Sequence, residues 1–245
     1  MSGIISAKIA AKSNLKTLLV DDKKTLGGST IFQNNDSFKI DDQHSSKWLE
    51  KEINEISEIE NLTVKTRTSI AAYHGYNYLL ARENLTDHLS IKDKKDKIRQ
   101  RLWKIRAKKV IVATGAIERP LVFNNNDRPG ILLSNSINKY LDYYGVACGK
   151  NIILFTNNDS AYETAISLHK KGIKNLIVDL RKNSQSEIAQ QAQNLGIKIY
   201  FNHVVTNTFG YRRVNSVELM ELSDDGNTTI GKKIKLNCDC LGICL

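Results

Sequence analysis

The stretch SGIISAKIAAKSNLKTLLVDDKKTLGGS, residues 2–29, contains the pattern from which the fold is argued. Apolar residues recur at helical spacing at positions 4, 5, 9 and 10. A compact apolar run, Leu15 to Val20, follows and ends at two acidic residues. Helical spacing followed by a short apolar run predicts a helix and then a buried parallel strand. The chain therefore opens with part of an α/β unit.

Three small groups of residues around this helix and strand are typical of a dinucleotide site. Gly3 stands at the helix start, where backbone N–H groups bind pyrophosphate. Asp21 and Asp22 lie about 20 residues further on, at the spacing of an acid that binds the adenosine ribose. Gly27, Gly28 and Ser29 form a tight loop that a cofactor can approach. Taken separately, each group is equally compatible with an ordinary cap or turn.

The segment KKVIVATGAIERP, residues 108–120, strengthens the nucleotide interpretation. It predicts a buried strand that ends at Thr114 and Gly115 and places Gly115 against the same cofactor. Ile70, in the strand-forming segment NLTVKTRTSIAAYHG, completes the predicted set. The predicted cofactor-binding residues are Gly3, Asp21, Asp22, Gly27, Gly28, Ser29, Ile70, Thr114 and Gly115. Neither catalytic residues nor metal ligands are predicted.

The second half of the chain repeats the plan of the first half. The domain prediction is a first dinucleotide-binding domain over 1–122 with a β-meander at 62–108, a linker with a helix at 123–149, and a second βαβ domain over 150–245. The turn of the second domain, TNNDSA, lacks glycine, although Asp179 stands where a ribose acceptor would. Two interpretations follow: a second nucleotide site, or a degenerate structural copy, which the turn favours.

Composition limits the classes of function. The chain has 245 residues, 41% hydrophobic, and a formal net charge of +10. Much of the positive charge lies in Lys92 to Lys109, where alternation with apolar residues predicts a solvated strand and no nucleic-acid site. Without an apolar run of about 20 residues or a secretory signal, a cytoplasmic protein away from membranes is expected.

The cysteines predict neither a redox pair nor a metal site. Cys238, Cys240 and Cys244 fall in an apolar segment and lack a nearby fourth ligand, and Cys148 stands apart. Disulfide reductases of two-dinucleotide-domain folds need two adjacent thiols, and GGSTIFQNNDSF contains none. Buried free thiols are therefore expected.

Long segments of the chain resemble a known family. ATGAIERPLVFNNNDRPG, residues 113–130, and FTNNDSAYETA, residues 155–165, are similar to the N-terminal part of the alpha subunit of heterotetrameric sarcosine oxidase. The resemblance covers nearly the whole chain. It implies an α/β fold of the glutathione-reductase-like type, in which two dinucleotide-binding domains are Rossmann βαβ units with inserted β-meanders.

The resemblance also implies cofactors and partners. NAD is expected in this chain, with FAD in a flavin-bearing beta subunit, FMN near the alpha–beta boundary, and smaller subunits completing the hetero-oligomer. The implied reaction is oxidative demethylation of sarcosine to glycine, with oxygen reduced to hydrogen peroxide. Lys23 and Lys24, in place of an arginine after the acid pair, favour a free ribose over a 2′-phosphate.

Two other functions remain open at this point. One is a stand-alone FAD-dependent, NAD-linked oxidoreductase acting on amines or opines. The other is a noncatalytic scaffold for a flavoprotein subunit. In the family the first strand and its glycine turn precede Ser2, and a further pattern follows Leu245. The first strand of the fold is thus expected to be missing here, and a fragment truncated at both ends is expected to be inactive alone.

Overall fold

In the computed structural model of the protein, residues 1–32 and 39–244 are described. Internal contacts divide the chain into two compact units, Met1–Gly115 and Ala116–Leu245. Within the described ranges, none of the helices combines the length and hydrophobicity that crossing a bilayer requires.

The first unit combines helices with a small parallel sheet and an antiparallel sheet. Its elements in chain order are α1 (Ser2–Lys12), β1 (Thr17–Val20), β2 (Lys39–Ile40), β3 (Gln43–His44), α2 (Ser45–Ser57), β4 (Leu62–Lys65), β5 (Thr68–His74), β6 (Tyr78–Asn84), the one-turn α3 (Ile91–Lys94) and β7 (Gln100–Arg106). β1 pairs in parallel with β4, and β5, β6 and β7 form an antiparallel meander. Apolar residues of α1 and α2 pack against Leu26 and Leu62 to form the core of the unit.

The second unit is built on a five-stranded parallel sheet in the order β11-β10-β9-β15-β8. Its elements in chain order are β8 (Ile131–Leu133), α4 (Ser134–Asp142), β9 (Asn151–Thr156), α5 (Ser160–Lys170), β10 (Lys174–Asp179), α6 (Glu187–Asn194), β11 (Lys198–Phe201), β12 (His203–Phe209), β13 (Ser216–Leu222), β14 (Thr229–Asn237) and β15 (Cys240–Cys244). Strands β12, β13 and β14 form an antiparallel meander.

The apolar run of β9 is explained by burial on both faces of this sheet. Ile152 and Leu154 point into a core that includes residues of α4 and α5. Ile153 and Phe155 point into a second core that includes meander residues. Successive side chains of a strand alternate between faces, so a strand covered on both sides must be apolar at every position. The predicted helices and strands of this half, including the buried last strand, are confirmed.

The predicted buried strand at 110–115 is not formed. Residues 107–123 carry no regular secondary structure, and Ile111 and Val112 are 66% and 72% exposed. An apolar β-branched segment becomes a strand only where a neighbouring strand completes its hydrogen bonds. In the described part of the first unit, β1 pairs with β4 alone, so no parallel partner is available to this segment.

The segment predicted as a linker contributes to the second sheet. Within 123–149, β8 pairs in parallel with β15, and α4 packs on the same core as α5. The structure divides into units between Gly115 and Ala116, whereas the sequence predicted that the first domain ends at residue 122. Periodicity missed β8 because three residues are too few to show it. The functional domain assignment itself stays a prediction.

Candidate functional site

Asp21 lies at the carboxyl end of β1 and is held by its own backbone. Its N–H donates to the Lys65 carbonyl at 2.9 Å, and its carbonyl accepts from Thr68 N–H at 2.9 Å. Its Oδ1 accepts the Lys23 backbone N–H at 2.8 Å, which forms a local turn. The half-buried Asp21 therefore shapes the loop that follows β1.

Asp22 is more available to a ligand than Asp21. Its side chain is 55% exposed, and its Oδ2 accepts from Lys23 Nζ at 2.7 Å. An exposed pair of this kind contributes little to stability, about 0–1 kcal/mol. A ribose hydroxyl can therefore replace the lysine at small cost.

Gly3 connects the start of α1 to two other predicted parts of the site. A Cβ on Gly3 would lie 3.4 Å from Ala113 Cβ and 3.8 Å from Leu19 Cδ1. Leu19 precedes Asp21 by two residues, and Ala113 directly precedes Thr114. The structure thus brings the helix start, the end of β1 and the Thr114 segment together.

The N-terminus of α1 has no side-chain cap, and its first turn contains no acidic residue. Such a terminus leaves backbone donors and a positive dipole end for an anion. Thr114 and Gly115 are exposed, and Gly115 has φ +73° with open space where a Cβ would stand. This conformation favours glycine, and the space above it admits a close approach.

The remaining predicted residues are less clearly part of one site. Gly27 has φ +130°, and a Cβ there would lie 2.5 Å from Leu49 Cδ2, so packing accounts for this glycine. Gly28 has φ +59° with open space beside it, and Ser29 is exposed. Ile70 lies on β5, 44% exposed and opposite Ala81. It follows Thr68, whose N–H binds the Asp21 carbonyl, by two residues.

The donor set fits the adenosine half of a dinucleotide. An uncapped helix start beside a glycine suits a phosphate, and a carboxylate at the end of the adjacent strand suits a ribose. Gly3, Asp22 and Gly115 are the residues whose geometry supports this fit. Close packing against Leu49 explains why residue 27 is a glycine, without any ligand.

A pocket of about 420 Å³ in the first unit does not coincide with these residues. Strands β1, β4 and β7 line it, with Leu18 and Trp103 among the walls and none of the nine predicted residues included. Glu83 Oε2 accepts from Trp103 Nε1 at 2.7 Å, and Lys65 Nζ lies 4.3 Å from the ring centroid. Trp103 lies on β7, in the basic segment whose alternation of apolar and charged residues predicts a solvated strand.

The cysteines of β15 and the one that precedes it are buried, as predicted. Cys238, Cys240 and Cys244 are free and buried, and Cys148 is half-buried. Burial raises the pKa of Cys238 and of Cys240 to about 12 and that of Cys244 to about 11. At neutral pH these thiols stay protonated, and the thiolate is the reactive form.

Comparison with known sequences decides the relationship. The chain is 33% identical over 244 residues to the sarcosine oxidase subunit alpha of Corynebacterium sp. strain P-1. It is 31% identical over 219 residues to that of Rhizobium meliloti strain 1021. Over nearly its whole length, this chain is similar to sarcosine oxidase alpha subunits. The first match covers 99% of the chain but 25% of the relative, so the chain spans a quarter of that subunit's length.

The fold is shared with solved dehydrogenase and reductase structures. L-proline dehydrogenase from P. horikoshii matches with a TM-score of 0.66 and 20% identity, covering 99% of this chain and 39% of that one. Thioredoxin reductase from T. acidophilum matches with a TM-score of 0.68 and 17% identity, and the match covers 100% of this chain and 73% of the reductase chain. No protein-family model matches the chain. The sarcosine oxidase alpha subunits are named as subunits, so each is one chain of a multi-chain enzyme.

Proposed function

We propose that this chain is the NAD-binding part of an oxidoreductase subunit of the sarcosine oxidase alpha type, with the nucleotide in its first unit. The observation that carries the proposal is that Gly3 faces Ala113 and Leu19, which a Cβ at Gly3 would meet at 3.4 Å and 3.8 Å. The uncapped helix start thus lies beside the strand that precedes the acid pair and beside the segment that leads to Thr114 and Gly115. The similarity to the alpha subunits supports the same assignment.

Each part of the site has a separate role in this proposal. The backbone at the start of α1 binds a phosphate, and Asp22 accepts hydrogen bonds from the adenosine ribose. Asp21 positions Asp22 because its Oδ1 holds the Lys23 backbone at 2.8 Å. Gly115 and Gly28 allow close backbone approach. When bound, NAD supplies hydride acceptance and donation at its nicotinamide ring.

The complete reaction that we propose takes place in a larger assembly. Sarcosine is oxidatively demethylated to glycine at the flavin of a beta subunit, and oxygen is reduced to hydrogen peroxide. FAD and FMN belong to that assembly, and smaller subunits complete it. The chain alone is then inactive towards sarcosine. This proposal rests on the relatives, of which the chain spans a quarter.

The first prediction concerns Asp22. Replacing Asp22 by Asn should weaken NAD⁺ binding by about 10- to 100-fold, since a hydrogen bond to a charged group contributes about 1.5–3 kcal/mol. Isothermal titration of the purified chain with NAD⁺ measures the effect. Glu50→Gln is the matched control, because Glu50 is an exposed acid on α2. Equal affinity of the Asp22 variant and the parent would contradict the proposed site.

Identification of the copurified cofactor separates the proposal from the two other functions. The protein is denatured, and the released compound is identified by absorbance and mass. NAD without flavin supports the alpha-type assignment. Released FAD favours a stand-alone flavoenzyme acting on amines or opines. The Asp22 variant separates the third function. If this variant no longer binds nucleotide but still assembles with a flavoprotein subunit, and if the assembly keeps full activity, a noncatalytic scaffold is favoured.

A further inference from the structure

Asp179 ends β10 at the position that corresponds to the acid pair after β1. It is completely buried, and both carboxylate oxygens accept hydrogen bonds from its own chain. Oδ2 accepts from Tyr162 Oη at 2.7 Å and from Arg181 Nη2 at 2.8 Å. Oδ1 accepts from the Arg181 backbone N–H at 2.9 Å and from its Nε at 3.1 Å. A ribose would have to displace the Arg181–Asp179 ion pair, in which both the donor and the acceptor are charged, whereas a ribose hydroxyl is a neutral donor.

The Arg181 guanidinium also binds the turn that follows β9. Its Nη2 lies 2.7 Å from Asp159 Oδ1, in the residue just before α5. Ser184 Oγ donates to the same Asp159 oxygen at 3.2 Å. Burial acts to raise the pKa of Asp159, but hydrogen bonds from Arg181 and Ser186 hold it below its ordinary value. The arginine therefore spans from the end of β10 to the loop where a dinucleotide would enter.

The start of α5 is closed as well. Asn158 Oδ1 accepts from Ser160 N–H at 3.0 Å and from Ser160 Oγ at 2.8 Å. Thr156 Oγ1 donates to the Asn158 carbonyl at 2.9 Å, which fixes the turn. One of the first backbone donors of this helix is thus bound by a side chain of its own turn, although neither α5 nor α1 receives a hydrogen bond from its N-cap side chain. The two units differ most clearly at the ribose end, where Asp179 is buried and Asp22 is exposed.

We propose that Arg181 closes the second unit to dinucleotides, because on Asp179 and Asp159 it occupies the place of an adenosine ribose. Arg181 is thereby the residue that limits this chain to one nucleotide, held in its first unit. The statement on the first unit rests on the proposed function. The closure of the second unit does not depend on it, since it follows from contacts within residues 156–186.

Photoaffinity labelling of the full chain with an azido-adenine analogue of NAD⁺ tests the closure. Labelled peptides are mapped by mass spectrometry. Labelling in the presence of excess unlabelled NAD⁺ defines the nonspecific background. In the parent protein, the label on peptides from 151–186 should not exceed this background. Arg181→Ala should introduce competable label there, at least tenfold above the parent. Lys182→Ala is the control, because this neighbouring lysine is 58% exposed and pairs with Asp224.

Asp159→Asn provides a second variant, since it weakens the hold on Arg181 without leaving Asp179 unpaired. Circular dichroism establishes that each variant is folded. Competable label at 151–186 in the parent protein overturns the closure. So does absence of label there in both folded variants, because the turn itself would then exclude the nucleotide. Failure of the proposed function is separate: it is seen as absence of label from peptides of residues 1–115.

Discussion

Gly27 and Gly28 show how two adjacent glycines serve different purposes. A side chain on Gly27 would meet Leu49 Cδ2 at 2.5 Å and Ile31 Cγ1 at 2.9 Å. A side chain on Gly28 would meet no atom within 4 Å. In the sequence, the Gly-Gly pair indicates only a turn and does not show which glycine is required by packing. The folded structure does, because only Gly27 has neighbouring atoms where a Cβ would stand.

Alanine substitutions at the two positions should differ in cost. Gly27→Ala combines overpacking with positive φ and should reduce the free energy of unfolding by about 1–3 kcal/mol. Gly28→Ala carries the conformational cost alone, about 1 kcal/mol. Urea denaturation followed by circular dichroism measures both. A larger loss at Gly28 than at Gly27 would contradict the packing explanation.

At the scale of elements, Lys8 joins α1 to α2. Its Nζ lies 2.7 Å from Glu52 Oε2 and 2.7 Å from Glu55 Oε2, and the side chains of Lys8 and Glu52 are 16% and 7% exposed. Hydrogen bonds with Glu52 and Glu55 raise the pKa of Lys8 above 10.5, and the bond with Lys8 lowers the pKa of Glu55 below 4.5. The cluster therefore stabilises the packing of α1 against α2 in the pH range between about 4.5 and 10.5.

Lys8→Ala should lower the free energy of unfolding at pH 7 by about 1–3 kcal/mol, because it leaves the buried Glu52 carboxylate without its partner. Lys12→Ala is the control: Lys12 is 60% exposed and lies 3.8 Å from Glu55, so its loss should cost about 0–1 kcal/mol.

The pH dependence of the same pair is a check on its origin. A raised lysine pKa gives stability that is complete below 10.5 and lost as pH rises through the folded-state value. The lowered pKa of Glu55 gives stability that is complete above 4.5 and lost as pH falls. The difference between parent and Lys8→Ala should therefore shrink at both extremes. A difference that is constant across pH would mean that lost packing, and not charge, is the cause.

At the scale of the whole molecule, the segment before and after Gly115 is less hydrogen-bonded than the strands that precede and follow it in the sequence, and it is less buried than β9. Residues 107–123 lack regular structure, and Ile111 and Val112 are exposed. In β9, residues 152–155 are at most 2% exposed and pair on both edges. Local opening is governed by such differences in burial and hydrogen bonding.

Hydrogen exchange should reveal this contrast. Amides of 110–115 should exchange at rates close to those of an unfolded peptide, while those of β9 should be among the slowest in the chain. Mass spectrometry of peptic peptides measures both in one sample, with β9 as the internal control. Protection of 110–115 comparable to that of β9 would mean that this segment pairs as a strand.

Much of the architecture was predictable because it depends on local periodicity. The helical spacing near Ile4 and the apolar runs of β9 and β15 report burial directly, since a strand covered on both faces must be apolar throughout. The acid pair after β1 was likewise placed correctly at the end of its strand. Those features depend on residues close together in the chain.

The rest required tertiary structure because it depends on partners distant in sequence. The run at 110–115 has the composition of a strand, but a strand exists only where a neighbour completes its hydrogen bonds. Asp21, Asp22 and Asp179 look equivalent in sequence, yet Asp22 is exposed while Asp179 is buried beneath Tyr162 and Arg181. The sequence alone determined the elements and where the acids stand. The folded chain decided which carboxylate is left for a ligand, because folding buries Asp179 and brings the Tyr162 hydroxyl to it, while Asp22 stays exposed.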